Sequence, residues 1–306
     1  MSGKNSFRGV GVALITPFKN DGSLDETTLE VLIERQIEAG TDFLVPCGTT
    51  GENPSLSTAE HFRVVELTVK AARGKVPVLA GAGSNNTYKA VDLALGCIDR
   101  GADGILTITP YYNKPSPDGL LRHFYAQADA VDNMSSGYPM IVYNVPGRTG
   151  CNINPDTLRR IADNIPNVVG VKEASANMDQ IERILRERDP KFLVLSGDDS
   201  WTLPMIALGA DGVISVAANE VPGLMKEMTA AALAGDFNGA RAVHNRILPL
   251  MLGNFIEPNP APLKAAMKMM GLLPADHLRS PLAPITESSR DMLRKIIEEC
   301  NLTAAD

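Results

Sequence analysis

Apolar and polar positions along this chain follow two rhythms. Short runs rich in Val, Ile and Leu recur at 9–18, 42–48, 77–83, 104–110, 139–146, 168–175, 192–199 and 212–219. Each is too short for a buried helix, and most end at Gly, Pro, Asn or Asp, so they predict strands. Between them the apolar positions return every three or four residues, the helical period. In 24–40, Leu29, Leu32, Ile33 and Ile37 fall on one face. Segment 57–73 opens Ser-Thr-Ala-Glu, a capping box from Ser57 to Glu60. Segment 86–101 ends on the glycine that commonly stops a helix.

Eight strands alternating with eight helices predict an α/β fold, a (β/α)8 TIM barrel. Near-continuous apolar strands agree, because barrel strands are covered on both sides. An open doubly wound sheet is the rival, and it accounts less well for eight units in unbroken succession. Ala-Gly-Thr-Asp at 39–42, Arg-Gly-Ala-Asp at 100–103 and Leu-Gly-Ala-Asp at 208–211 look like one unit reused between helix and strand. After Gly235 the alternation stops. Segments 236–252, 260–270 and 285–300 read as helices, with breakers at Asn259-Pro260 and Leu273-Pro274. The expected organisation is a barrel over 1–235 and a C-terminal helical domain over 236–306.

Composition narrows the function. With 44% hydrophobic residues in 306, a sizeable core can form, which excludes wholesale disorder. A formal net charge of −7 argues against a nucleic-acid partner. Residues 1–10 are polar, with Lys4 and Arg8, and lack the pattern of a signal peptide. No apolar run reaches the length of a membrane span. Cys47, Cys97, Cys151 and Cys300 form no CxxC pair, and read as the reduced thiols of a cytoplasmic protein. The four histidines stand at no metal-ligand spacing, so no His-rich metal site is expected.

In a barrel of this kind the active site lies at the carboxyl ends of the strands. Lys172, in the otherwise apolar Val-Val-Gly-Val-Lys-Glu-Ala at 168–174, is the most informative residue there. It either snorkels to solvent or sits desolvated in the barrel mouth, where a neutral amine attacks a ketone. Alternation puts Gly170 on its side, which would leave room for the amine. Tyr143 lies at a comparable height one strand earlier. Thr49 and Thr50, between Gly48 and Gly51, suit a small carboxylate or form an ordinary tight loop. Arg148 suits a second carboxylate or a rim salt bridge with Glu173 or an Asp. Asp198, Asp199 and Glu173 could hold Mg²⁺, but such acids are as often pocket or cap residues. Segment 81–86 carries half a dinucleotide fingerprint without its third glycine. Cys47 and Cys151 read as packing residues, with no histidine expected at a neighbouring strand end.

Five motifs stand in order at predicted strand ends. They are Gly-Thr-Thr-Gly-Glu at 48–52, Tyr-Tyr-Asn-Lys-Pro at 111–115, Tyr-Asn-Val-Pro-Gly-Arg-Thr-Gly at 143–150, Gly-Val-Lys-Glu-Ala-Ser at 170–175 and Ser-Gly-Asp-Asp at 196–199. Over nearly its whole length the chain resembles the dihydrodipicolinate synthase branch of the pyruvate-dependent Schiff-base aldolases. The resemblance implies condensation of pyruvate with L-aspartate 4-semialdehyde, in the route to diaminopimelate and lysine. It implies no external cofactor, because a covalent imine on Lys172 is the electron sink. It implies that Thr50 and the backbone at Ile214 hold the pyruvate carboxylate, that Arg148 holds the semialdehyde carboxylate, and that Gly197 lines the pocket. Tyr143 would relay protons with Thr49 and Tyr112, the latter reaching in from a neighbouring subunit of a dimer of dimers. The alternatives are a sister aldolase, such as N-acetylneuraminate lyase or a 2-keto-3-deoxy-sugar-acid aldolase, and a non-catalytic ligand-sensing barrel. The family's L-lysine pocket would involve Asn53, Pro54, His61, Asn85, Lys89 and Tyr111. Lysine-inhibited members carry Glu where this chain has Lys89, so weak or absent inhibition by lysine is expected.

Overall fold

In the computed structural model eight parallel strands form one sheet. They are β1 (Gly9–Ala13), β2 (Phe43–Val45), β3 (Leu79–Gly81), β4 (Gly104–Ile108), β5 (Met140–Asn144), β6 (Val168–Glu173), β7 (Leu193–Ser196) and β8 (Gly212–Ser215). Their order is β2-β1-β8-β7-β6-β5-β4-β3. An isolated parallel bridge from Leu44 to Val78 joins β2 to β3 and closes the ring. The structure describes residues 7–303 and 306. The reading of the first residues as lacking a signal segment falls mainly on 1–6, outside that set.

The helices are α1 (Glu26–Glu38), α2 (Thr58–Ala72), α3 (Thr87–Asp99), α4 (Pro117–Met134), α5 (Pro146–Thr149), α6 (Pro155–Asn164), α7 (Met178–Glu187), α8 (Thr202–Ala207) and α9 (Pro222–Leu233). Then come α10 (Phe237–Gly253), α11 (Ala261–Met269) and α12 (Glu287–Glu299). Side-chain caps start many of them. Asp25, Asn86, Ser116, Asn154 and Asn177 each accept from a backbone N–H in the first turn. The Ser57–Glu60 capping box opens α2. No helix among the described residues is long and apolar enough to cross a membrane.

The strands are shorter than the apolar runs. β2 stops at Val45 because Pro46 has no N–H to give the ladder and Cys47 turns left-handed at φ 56°. Beyond β1, the Asn219 side chain stands in for a neighbouring strand. Its Oδ1 accepts from the Ile15 N–H at 3.2 Å, and its Nδ2 donates to the Ala13 carbonyl at 2.9 Å.

Two cores result. Ala13, Phe43, Val45, Leu79, Leu106, Ile141, Tyr143, Val169, Leu193, Leu195 and Ile214 fill the barrel, with no helical residue among them. A larger cluster packs the outer strand faces against the helices. Ala240, Ile247, Leu250 and Met251 of α10 join that outer cluster.

One irregularity sets the site. Met140 pairs with Val168, but Ile141 pairs with Gly170, so Val169 is an extra residue in β6. Val168 and Val171 belong to the outer core and Val169 to the inner one. The bulge thus breaks strict alternation and brings Lys172 level with Tyr143.

Candidate active site

Lys172 and Tyr143 are direct register partners on β6 and β5. Both are buried, and Lys172 Nζ stands 4.3 Å from the centre of the Tyr143 ring. Burial pushes the Lys172 ammonium down to about 8 from 10.5. Arg148 pushes the same way, while Asp199 and Asp198 oppose. At pH 7 a pKa near 8 leaves roughly one amine in ten neutral, about 300-fold more than an ordinary lysine. That is the nucleophile a ketone needs.

The room beside the amine comes from a different glycine than alternation suggests. A Cβ on Gly170 would meet Leu193, 2.7 Å from its Cβ and its carbonyl oxygen. A Cβ on Gly197 would lie 3.1 Å from Lys172 Cε and 3.2 Å from its Cγ. Gly197, at the end of β7, is therefore the residue whose missing side chain accommodates Lys172. From Gly170 to Lys172 the ladder is regular, so Gly170 shares the side of Lys172, but its register partner Leu193 fills the space there.

Burial pushes the Tyr143 phenol up, against the lowering effects of Arg148 and a hydrogen bond with Thr49. Tyr143 thus stays protonated at neutral pH and can pass a proton through Thr49. Thr50 is buried, and its Oγ1 accepts from Asn259 Nδ2 at 2.9 Å. Arg148, on α5, donates to the Asn259 carbonyl at 3.3 Å. Among the described residues it pairs with no carboxylate, so the rim salt bridge weighed for it is not formed. Ile214 lies in β8 with its side chain in the barrel core. Tyr112 is not drawn in with the others. It is 89% exposed, with φ 71°, outside the ordinary range for a non-glycine residue.

A cavity of about 280 Å³ is bordered by Thr49, Tyr143, Arg148 and Thr149, whereas Lys172, Thr50, Gly197, Ile214 and Tyr112 do not line it. Asn53, Pro54, His61, Lys89 and Tyr111 also border it. Asn85 does not line it. Another cavity, of about 300 Å³, lies by Val168 and Phe192 at the opposite end of the barrel, away from the catalytic face.

The acids near Lys172 have protein partners. Asp199 is buried and accepts the N–H groups of Val216 at 3.0 Å and Ala217 at 2.9 Å. Burial raises its carboxyl to about 6. Asp198 caps the turn at Ser200, and Glu173 accepts from Asn144 and Ser175. Among the described residues no group of three or more His, Cys, Asp or Glu side chains is arranged to hold a metal ion. A histidine on α2 reaches Cys97 with its ring and Cys47 only with its backbone carbonyl. His61 Nε2 lies 3.6 Å from Cys97 Sγ, and Cys47 Sγ lies 3.6 Å from the His61 carbonyl. Burial pushes both thiols up and His61 down to about 4, so neither sulfur is activated.

Residues 6–300 match the dihydrodipicolinate synthetase family. The chain belongs to this family. Among dihydrodipicolinate synthetase relatives, the 4-hydroxy-tetrahydrodipicolinate synthase of Koribacter versatilis is 48% identical over 297 residues, covering 96% of each chain. That of Syntrophus aciditrophicus is 48% identical, covering 97% of this chain and 99% of its own. The crystal structure of dihydrodipicolinate synthase from Aquifex aeolicus superposes with a TM-score of 0.92 at 46% identity, covering 97% of this chain and 99% of that one. The eight-stranded barrel with C-terminal helices is thus the family's architecture.

Several groups at this site were not apparent in the sequence. Asn259 read only as a helix breaker, yet it contacts both Thr50 and Arg148. Glu52 and Lys264 form a buried ion pair beneath the threonine loop. The signal available was Glu52 itself, an acid closing an otherwise uncharged loop motif.

Proposed function

We propose that this chain condenses pyruvate with L-aspartate 4-semialdehyde to 4-hydroxy-tetrahydrodipicolinate, in diaminopimelate and lysine biosynthesis. The observation that carries this reading is the desolvated Lys172 amine, in register with Tyr143 and cleared by Gly197. Lys172 attacks the pyruvate ketone, and water leaves as the imine forms. A methyl proton is then lost and an enamine results, with the protonated imine nitrogen as the electron sink. No external cofactor takes part. The enamine carbon adds to the aldehyde, and the new alkoxide takes a proton through Tyr143 and Thr49. The substrate's own amine then displaces Lys172 from the imine carbon and closes the ring. Thr50 and the backbone near Ile214 hold the pyruvate carboxylate. A coupled assay with aspartate semialdehyde tests the reaction. Turnover is expected; pyruvate release from N-acetylneuraminate or a 2-keto-3-deoxy-sugar acid in its place would favour a sister aldolase.

Arg148 takes the semialdehyde carboxylate, a role supported by its guanidinium at the cavity wall, which meets no carboxylate among the described residues. Losing a charge-assisted contact costs about 1.5–3 kcal/mol, roughly ten- to hundredfold. Arg148→Ala should lose at least that in kcat/KM for the semialdehyde, while pyruvate still traps on Lys172 under borohydride. Equal failure of trapping would move Arg148 to the pyruvate side.

The working form is a homo-oligomer, a dimer of dimers, acting in the cytoplasm. Exposed Tyr112 supports a ring that is completed by a neighbouring subunit. Inactive Tyr112→Phe and Lys172→Ala proteins, reassociated together, should regain activity. No recovery in verified mixed oligomers would restrict Tyr112 to its own chain.

L-Lysine should inhibit weakly or not at all, because Lys89 borders the cavity that the ligand's cation would enter. Two like charges about 4 Å apart repel by about 1 kcal/mol in water and about 4 kcal/mol at an effective dielectric of 20. Restoring the anion, by Lys89→Glu, should raise lysine sensitivity more than about tenfold. Inhibition of the unaltered protein by sub-millimolar lysine would overturn this.

A further inference from the structure

The turn that carries Thr49 and Thr50 is bracketed by two left-handed residues that are not glycine. Cys47 has φ 56° and Glu52 has φ 53°. Such conformations persist only where the surroundings over-determine them. At Glu52 the surroundings come from the far end of the chain. Its Oε1 is held by Lys264 Nζ of α11, and its Oε2 accepts from the Arg279 N–H at 3.1 Å. Both side chains of the pair are essentially inaccessible, at 0% and 1%. Lys264 Nζ also donates to the carbonyls of Thr16 at 2.8 Å and His277 at 3.0 Å. Thr16 Oγ1 in turn donates to the Gly51 carbonyl at 2.7 Å. The Phe18 ring lies under Lys264 Nζ at 4.5 Å and under the Arg279 guanidinium at 4.4 Å.

We infer that Lys264 and Glu52 are a positioning pair for the pyruvate subsite. Their buried contact locks the 48–51 turn, so that the Thr50 hydroxyl and the adjacent N–H groups are fixed before pyruvate arrives. Neither residue touches the reacting atoms. The inference rests on the reading of Thr50 as the pyruvate-carboxylate partner. A pair of opposite charges, rather than simple packing, has a distinct signature. Removing one partner strands the other charge in a dry interior, whereas removing both does not. Lys264→Met alone should therefore be more damaging than Glu52→Gln combined with Lys264→Met.

The full-length double variant, checked for folding by circular dichroism and thermal melting, tests this. Its KM for pyruvate should rise about tenfold or more, as when a carboxylate loses a charge-assisted contact. Its KM for aspartate semialdehyde should hold. Partial unfolding lowers the active fraction, hence kcat, and leaves both KM values alone, so the split separates positioning from mere stability. A folded double variant with unchanged pyruvate KM, or with both KM values raised alike, overturns the proposal. Should the double variant not fold, Glu52→Gln alone replaces the ion pair by a neutral amide at nearly constant shape. A pyruvate KM raised about threefold or more then supports the pair, and an unchanged one overturns it. If the unaltered protein traps no pyruvate on Lys172, the imine reading itself fails, which is a separate result.

Discussion

Lys172→Ala should abolish the borohydride-trapped pyruvate adduct and lower turnover by at least about 10⁴-fold, the order seen when a covalent nucleophile is removed. Mass spectrometry of the unaltered protein should place the added pyruvate mass on the peptide that contains Lys172. An adduct on any other lysine would sink the mechanism. The charge state gives a second reading of the same residue. Burial lowers the Lys172 pKa to about 8, so the reactive neutral amine grows as pH rises and is complete above that value. The rate of imine formation should therefore climb through about pH 8 and level off, whereas a solvated lysine would keep climbing toward 10.5. A rate that kept climbing beyond about pH 9 would contradict a desolvated amine.

Tyr143→Phe should lower kcat by about 10²–10⁴-fold, the usual contribution of a positioned proton carrier. The ring that packs against Lys172 is retained in this variant, so the fold and the amine's burial persist. Burial keeps the phenol protonated, which makes it a carrier through its O–H rather than a standing base. The imine should still form in the variant, more slowly, and borohydride should capture it given time. A kcat within about tenfold of the parent would remove Tyr143 from the relay.

The barrel was legible because its strands are apolar on both faces and its helices on one. Those patterns are local, and so are the caps at Ser57 and Asn86 that start α2 and α3. Lys172 was legible because a charge in an apolar strand is conspicuous. The supporting network was not, because its partners lie far apart in the chain: 209 positions separate Thr50 from Asn259, and 212 separate Glu52 from Lys264. No periodicity within a segment carries that information. The assignment of space to Gly170 erred for a related reason. Alternation gives the side a residue faces but not what packs there, and Leu193 of the next strand fills the space beside Gly170. Tyr112 shows another limit, since its place in a strand-end motif gives no sign that its ring stands 89% exposed.

The unpaired Val169 also makes strand length a constraint in its own right. β6 has six residues from its outward start at Val168 to Glu173. Loss or gain of one residue ahead of Lys172 would shift its phase by half a pleat, turning the amine from the barrel's interior toward the encircling helices. Replacing an apolar side chain by another of similar size would leave that phase intact. What descendants of this chain must inherit in β6 is thus a count as much as a lysine. Changes in length are to be sought in the connecting loops, and changes in this strand among substitutions alone.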